Sequence, residues 1–207
     1  MSDGPVGNVY DKETASNPIE RRLVGGFTEA LRSLLPEQAT RVLEVGCGEG
    51  NQLRRLRDTY PAAEIVGLDI AFDDDVSADG VDLVVASAMT LPFPDDAFDL
   101  VVGLEVLEHL PDPAVALREI ARVGRGPVIL SVPWEPVWRV GNVLRGRYVG
   151  AFGNTPGHLQ HFSRRGFARL VSRYLWLEET RRPLPWTMVR AHSDPSRRRA
   201  APKPALR

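Results

Sequence analysis

Cysteine and long apolar runs are scarce in this chain of 207 residues. Cys47 is the only cysteine, so neither an intramolecular disulfide nor a cysteine-based zinc cage can form, which is typical of a reducing compartment. No stretch of about 18 apolar residues occurs, and the polar first residues lack the apolar region of a signal peptide. We therefore expect a cytoplasmic protein that has neither a secretion signal nor a transmembrane segment.

An excess of one charge is also lacking. Lysine and arginine number 26 against 27 aspartate and glutamate residues, which leaves a net charge of -1. Lys12 and Lys203 are the only lysines, which indicates an arginine-biased composition rather than a phosphate site. With no bulk positive field, nucleic acid is not an expected partner.

Apolar segments of two kinds alternate along the chain. Near-continuous apolar runs predict strands, and apolar residues spaced by three and four predict helices. Strands are predicted at residues 41–45, 64–70, 81–87, 98–104 and 127–132, and helices at 18–35, 50–60, 113–123 and 164–174. Two further strands, 176–180 and 186–190, flank a proline turn and predict an antiparallel pair at the sheet edge. This order predicts an α/β protein with a doubly wound, mostly parallel, seven-stranded sheet.

One domain accounts for most of the chain. Residues 1–191 are expected to form it, because about 150 residues is typical of a single domain. Residues 133–163 interrupt the alternation and are expected to form a lid over the substrate. The lid is rich in aromatic residues and arginines: Trp134, Trp138, Arg139, Arg145, Arg147, Tyr148 and Phe152. Residues 192–207 are basic and rich in proline and alanine, which predicts a flexible tail.

A glycine-rich loop follows the first predicted strand. Gly46, Gly48 and Gly50 lie between that strand and a helix, a context that favours a nucleotide-like cofactor. Asp69 ends the second strand about twenty residues later, where a carboxylate can accept both hydroxyls of a ribose. The spacing differs from G-x-G-x-x-G, and Glu44 adds a negative charge beside the loop. A cationic cofactor is therefore favoured over a nicotinamide dinucleotide.

Three motifs in this order resemble those of class I S-adenosylmethionine-dependent methyltransferases: VLEVGCGEG, GLDI and LPFPDDAFDLVVGLEVLEHLPDP. The small-molecule methyltransferases of the ubiquinone and menaquinone type are the most similar group. The resemblance implies a Rossmann-like sheet and S-adenosylmethionine as cofactor. It places Glu44, Gly46, Cys47 and Gly48 at the methionine part, Asp69 at the ribose, Ile70, Ala88 and Met89 at the adenine, and Leu104 at the reactive end.

Two histidines are candidates for removing a proton from the acceptor. His109 follows the fourth strand in the run EVLEHL, and His158 lies in the lid; imidazole titrates near neutral pH and is the usual general base. A Glu-x-x-Glu-His run near a divalent ion is known in similar quinone-type O-methyltransferases. No metal is expected here, because Glu108 and His109 would diverge on a regular helix. Cys47 is expected to be a packing residue, since Glu44 and Glu49 disfavour a thiolate.

The function predicted is transfer of a methyl group from S-adenosylmethionine to a small molecule, by in-line displacement. We expect oxygen to be the methylated atom and the acceptor class to include lipid-like or isoprenoid compounds; the lid arginines and tryptophans would also allow peripheral contact with a membrane. An NAD-dependent oxidoreductase and a non-catalytic S-adenosylmethionine-binding protein are the alternatives. The sequence leaves the oligomeric state open.

Overall fold

A computed structural model describes residues 18–72, 79–135, 137 and 157–193. Its strands are β1 (Arg41–Val45), β2 (Glu64–Asp69), β3 (Val81–Val85), β4 (Leu100–Leu104), β5 (Pro127–Pro133), β6 (Trp176–Arg181) and β7 (Trp186–His192). Its α-helices are α1 (Pro18–Leu34), α2 (Asn51–Thr59), α3 (Pro113–Val123) and α4 (Arg164–Val171), and a 3-10 turn spans Leu107–His109.

The seven strands form one sheet in the order β3-β2-β1-β4-β5-β7-β6. Strands β1 to β5 pair in parallel, while β7 lies antiparallel between β5 and β6. The predicted fold is confirmed, including the antiparallel C-terminal strands. The strand order reverses between β1 and β4, and in open parallel sheets ligands bind at the carboxyl ends of the strands on either side of such a point.

Helices cover both faces of the sheet, as a parallel sheet requires. The apolar face of α1 and α2 packs in one core cluster, to which Phe27, Leu53 and Trp186 belong. The apolar face of α3 and α4 packs in a second cluster with Ile120 and Phe167. The result is a three-layer α/β/α protein in which the helices cover the faces of the sheet and not the loops at the ends of its strands.

Local signals explain where the helices begin. The Asp112 carboxylate accepts hydrogen bonds from the backbone N–H groups of Ala114 and Val115, and Pro113 occupies the first helical position of α3. The Ser163 hydroxyl accepts from the Gly166 N–H at the start of α4. By contrast, α2 begins after Gly50, which has a left-handed backbone and provides no side-chain cap. That end of α2 borders the glycine loop.

Several predicted boundaries are wrong by a few residues. The tail was predicted to begin at residue 192, but His192 pairs with both Pro127 and Trp176 in the sheet; β7 therefore extends further, and residues 194–207 lie outside the described part. Helix α4 ends at Val171 in a hydrogen-bonded turn rather than at residue 174. Phe98 makes only an isolated bridge to Gly124, so β4 begins at Leu100.

No helix within the described ranges is long and apolar enough to cross a membrane.

Candidate active site

The glycine loop between β1 and α2 has left-handed backbone angles. Gly46, Gly48 and Gly50 have φ values of 70°, 49° and 76°, which favour glycine because a Cβ would be strained there. A Cβ on Gly46 would lie 2.4 Å from Cγ2 of Val106, whereas a Cβ on Gly48 would meet nothing within 4 Å. Gly46 thus allows close packing inside the protein, and Gly48 leaves an open space beside the loop.

Asp69 joins the end of β2 to this loop. One carboxylate oxygen accepts a hydrogen bond from the Gly48 N–H at 2.8 Å, and the other accepts from the Ile70 N–H at 2.7 Å. Each oxygen of an ionised carboxylate can accept more than one hydrogen bond. The side chain is therefore held by the backbone and retains lone pairs for two hydroxyl groups.

Two other residues predicted at the methionine part lie deeper. Glu44 is 3% exposed in the middle of β1, where it is paired with Gly67 of β2 and Val102 of β4. Burial raises the pKa of the Cys47 thiol far above its usual value, and the charges of Glu44 and Asp69 raise it further. The thiol is neutral and inert at physiological pH, as expected for a packing residue.

The residues predicted to contact adenine lie at the ends of β2 and β3. Ile70 is 64% exposed and Ala88 is buried, while Met89 is partly buried against the core. The Ser87 hydroxyl accepts a hydrogen bond from the Met89 N–H at 3.2 Å. The serine thus stabilises the turn that carries Ala88 and Met89.

The end of β4 is unusual in its backbone. Leu104 is the last residue of the strand and is partly buried. Glu105 follows with a φ of 58°, in the left-handed region that non-glycine residues rarely adopt. Its carboxylate accepts a hydrogen bond from the indole N–H of Trp186 in β7. Strained positions of this kind concentrate at functional sites.

Both predicted catalytic histidines lie beside this strand end, and the fold brings them together. The rings of His109 and His158 are perpendicular, with centroids 4.9 Å apart. Nδ1 of His109 lies 3.1 Å from the carbonyl oxygen of Gly157, and Nδ1 of His158 lies 2.7 Å from a carboxylate oxygen of Glu135. In both rings Nδ1 faces an oxygen acceptor, which leaves Nε2 for other chemistry.

The segment 157–162, which carries His158, is tied to the 3-10 turn by its backbone. The N–H groups of Leu159 and Gln160 donate to the carbonyl oxygen of Glu108 at 2.8 and 2.9 Å. The Gln160 side chain donates to carbonyl oxygens of Leu110 and Pro111 at 3.4 Å. The two histidines are therefore held on neighbouring, hydrogen-bonded pieces of chain.

The electrostatics of His109 favour a neutral ring. Burial lowers the pKa of His109, and His158 lowers it further. The Gly157 carbonyl and the charges of Glu105 and Asp69 oppose this shift without reversing it. Because Glu105 and Asp69 are close enough to act on it, His109 lies beside the predicted cofactor site.

Glu108 and His109 do not diverge as they would on a regular helix, so the expectation of no metal cannot rest on helix geometry. Leu107–His109 is a 3-10 turn rather than part of a regular helix, and Glu108, His109 and His158 place one potential ligand atom each within 4.8 Å of one another.

Sequence analysis missed Glu135. It is buried next to the end of β5, and its position after a parallel strand is the signal that would have singled it out. Most of the predicted lid lies outside the described residues, namely residues 136 and 138–156. These include Trp138, Arg139, Arg145, Arg147, Tyr148 and Phe152.

These residues suit a cofactor with a ribose and a cationic sulfonium. Asp69 is held by the backbone N–H of Gly48, a Cβ on Gly48 would meet open space, and Glu44 is a buried carboxylate on the strand that leads into the loop. Residues 43–130, less than half of the chain, match the methyltransferase domain family, and this match, with the methyltransferases among its relatives, supports an S-adenosylmethionine-dependent methyltransferase. The predicted cofactor and enzyme class are thereby confirmed, and the dinucleotide alternative is not supported.

Among its relatives, the chain is similar to small-molecule methyltransferases. It is 29% identical over 192 residues to demethylmenaquinone methyltransferase of Anoxybacillus flavithermus, which covers 87% of this chain and 78% of that protein. It is 39% identical over 110 residues to 27-O-demethylrifamycin SV methyltransferase of Amycolatopsis mediterranei, a match to 48% of this chain and 40% of that protein.

A solved structure supports the fold. An S-adenosylmethionine-dependent methyltransferase of Mesorhizobium loti superimposes with a TM-score of 0.62 at 18% identity, over 82% of this chain and 99% of that one.

Proposed function

We propose that this enzyme methylates an oxygen atom of a small, largely apolar molecule. The observation that carries the proposal is the pair of partly buried imidazoles, His109 and His158, which contact each other beside the strand ends that hold Asp69 and Glu105. A hydroxyl group becomes a better nucleophile when a neighbouring base removes its proton, and histidine is the side chain best suited to that task near pH 7.

Each part of the site has a role in this proposal. S-adenosylmethionine, when bound, supplies the methyl group on a positively charged sulfur. Asp69 binds the ribose, the backbone of Gly46, Cys47 and Gly48 surrounds the methionine part together with Glu44, and Ile70, Ala88 and Met89 contact the adenine. Leu104 borders the reactive end. Holding the acceptor about 3.5 Å from the methyl carbon is worth roughly 7 to 11 kcal/mol of the barrier.

The acceptor is proposed to be largely apolar because the chain segments that carry the histidines also leave apolar side chains exposed or only partly buried. Leu159 is among the exposed large hydrophobic residues and sits next to His158, and Val106 and Leu110 are only partly buried. Two relatives are named for small-molecule acceptors, demethylmenaquinone and 27-O-demethylrifamycin SV, which supports an acceptor of this general kind. We propose that residues 133–163 close over such an acceptor and select it.

Of the two histidines, we propose His158 as the base. Nδ1 of His158 faces a carboxylate, which stabilises the charged imidazolium that proton removal creates, whereas Nδ1 of His109 faces a neutral carbonyl. The His109 ring packs edge to face with that of His158, and burial disposes His109 to remain neutral because it lowers its pKa.

The proposal is tested by transfer of a 13C-labelled methyl group. Purified enzyme is incubated with labelled S-adenosylmethionine and a set of catechols and hydroquinones with and without isoprenoid tails, together with 27-O-demethylrifamycin SV. We expect a methyl ether, recognised by the chemical shift of its 13C methyl, and His158→Asn to lower its rate about 100-fold. His192→Asn is the control, since that histidine lies at the far end of β7. A product labelled only on carbon or nitrogen would contradict the proposal.

A further inference from the structure

We infer that Glu135 is a positioning residue, which holds the Nδ1 proton of His158 and leaves Nε2 as the atom that removes the acceptor's proton. The inference rests on the proposed function, because it assigns the partner of the base proposed there. It concerns a residue from a different part of the chain, immediately after β5.

The contact between the two side chains is short and shielded from water. Nδ1 of His158 lies 2.7 Å from Oε1 of Glu135, and the side chains are only 6% and 5% exposed. A carboxylate only accepts hydrogen bonds, so Nδ1 must be the donor. In a neutral imidazole one nitrogen carries the proton and the other a lone pair. Glu135 therefore selects the form of His158 in which Nε2 is basic.

The backbone fixes both partners. The N–H of Trp134 donates to the carbonyl of Pro185 at 2.8 Å, and the N–H of Glu135 donates to the carbonyl of Phe162 at 3.4 Å. On the other side, the N–H of Leu159 donates to the carbonyl of Glu108. Glu135 and His158 therefore approach from two anchored segments, so that the orientation of the ring does not depend on the histidine's own segment alone.

The second histidine limits the movement of the first. The edge-to-face contact between His109 and His158 places one ring against the flat side of the other. His109 is itself oriented by the carbonyl of Gly157, the residue before His158. With Glu135 on Nδ1 and His109 against the ring, His158 has little freedom to turn Nε2 away.

The proposed methyl transfer needs only the acceptor, S-adenosylmethionine and His158. As the bond between the acceptor oxygen and the methyl carbon forms, the bond between that carbon and sulfur breaks. The proton of the acceptor hydroxyl moves to Nε2 of His158, and the resulting imidazolium is stabilised by the carboxylate of Glu135. The products are the methyl ether and S-adenosylhomocysteine, and His158 then loses its proton to water.

The first test needs no acceptor. In full-length protein with 15N-labelled histidine, we expect the ring signals of neutral His158 to show a protonated Nδ1 and an unprotonated Nε2. In Glu135→Met the proton should shift to Nε2 in a substantial fraction of molecules. Glu119→Gln, which removes a carboxylate bound to Arg122 on α3, is the control and should leave the signals unchanged. A wild-type His158 protonated on Nε2 would overturn the inference, whether or not the variant folds.

The second test uses an acceptor found by the labelled-methyl assay. We expect Glu135→Met to lower kcat about 100-fold with little change in the KM for S-adenosylmethionine. The decisive comparison is the double variant Glu135→Met/His158→Asn, which should be no slower than His158→Asn alone, because Glu135 acts only through the ring. A further loss of tenfold or more in the double variant, about 1.4 kcal/mol, would show that Glu135 supports the structure in another way.

The two proposals fail differently. If the ring carries its proton on Nδ1 in the wild type and loses it in Glu135→Met, Glu135 is the positioning residue even when methylation occurs on carbon. Stoichiometric binding of Zn²⁺ or Mn²⁺ that disappears in both His109→Ala and His158→Ala would overturn the inference, since the two rings would then be metal ligands.

Discussion

The indole N–H of Trp186 donates a hydrogen bond to the carboxylate of Glu105, which connects β7 to the loop after β4. Glu105 has a left-handed backbone, a conformation that costs a non-glycine residue roughly 1 to 2 kcal/mol. Trp186 is almost fully buried and packs edge to face against Phe27 of α1, with ring centroids 5.0 Å apart. The strained turn at the active site is thus supported by a side chain fixed in the core.

Replacing Trp186 should destabilise the folded protein. We expect Trp186→Phe to lower the free energy of unfolding by about 2 kcal/mol or more, because a carboxylate loses a hydrogen-bond donor and the smaller ring leaves a gap. Urea denaturation followed by circular dichroism measures the change. Trp176→Phe is the matched control: Trp176 is 58% exposed, so its loss should stay within about 0.5 kcal/mol. Equal effects of the two substitutions would show that the bond to Glu105 is unimportant.

Substitutions of two loop glycines should have different effects: Gly46→Ala on stability and Gly48→Ala on cofactor binding. Gly46→Ala places a Cβ against Val106 in a left-handed position, and we expect a loss of about 2 to 4 kcal/mol in the free energy of unfolding. Val106→Ala in the same protein should restore part of it. Gly48→Ala points into open space, so it should cost only about 1 kcal/mol of stability and weaken S-adenosylmethionine binding roughly tenfold or more. Calorimetric binding that is unchanged in Gly48→Ala would contradict the assignment.

Asp69 should matter more for binding than for folding. We expect Asp69→Ala to weaken S-adenosylmethionine binding by about 1 to 3 kcal/mol, because a charged acceptor of hydrogen bonds is removed. Isothermal titration calorimetry measures this directly. Asp82→Asn, an exposed aspartate on β3, should bind as the wild type does. An unaltered affinity in Asp69→Ala would mean that the ribose lies elsewhere.

Stability should depend on pH through Asp99, which lies at the opposite end of β1 from the active site. Burial alone would raise the pKa of Asp99, but hydrogen bonds from the Thr40 hydroxyl and from the backbone N–H groups of Arg41 and Thr40, with the charge of Arg125, lower it below its usual value. A carboxyl whose pKa is lower in the folded than in the unfolded protein stabilises the fold above the unfolded value. That contribution is lost as the pH falls through the folded value.

The corresponding variant is Asp99→Asn, studied by urea denaturation at several pH values. The wild type should be more stable than the variant at pH 6 to 7, and the difference should shrink progressively below about pH 4. A difference that is constant down to the acid limit would show that ionisation of Asp99 contributes nothing.

Helix and strand boundaries were predicted well where residues next to the boundary mark it. Helix α3 was predicted with both boundaries correct, because Asp112 and Pro113 mark its beginning within a few residues of the apolar stripe. Two strands, β2 and β3, were predicted too long where they end at the active site. The prediction for β3 included Ser87, for example, but Ser87 leaves the sheet to form the turn that carries Met89.

The residues predicted to bind the cofactor could be proposed from the sequence because most of them lie at the ends of consecutive strands, in a fixed order along the chain. The partner of His158 could not. Glu135 and His158 are 23 positions apart, and what joins them is the packing of two loops rather than any repeat or spacing. The 3-10 turn that brings His109 and Glu108 together likewise depends on contacts with segment 157–162, and a helical extrapolation from EVLEHL could not show it.

The insertion of β7 between β5 and β6 has a consequence for how the protein is made. Until residues up to His192 have left the ribosome, β5 has no neighbouring strand on one side. Val128 and Leu130, which are fully buried in the folded protein, are then covered on fewer sides. The sheet is complete only when β7, the last strand to be synthesised, pairs with β5 and β6. Before that, β5 is an unpaired edge strand, and unpaired edges are prone to aggregation.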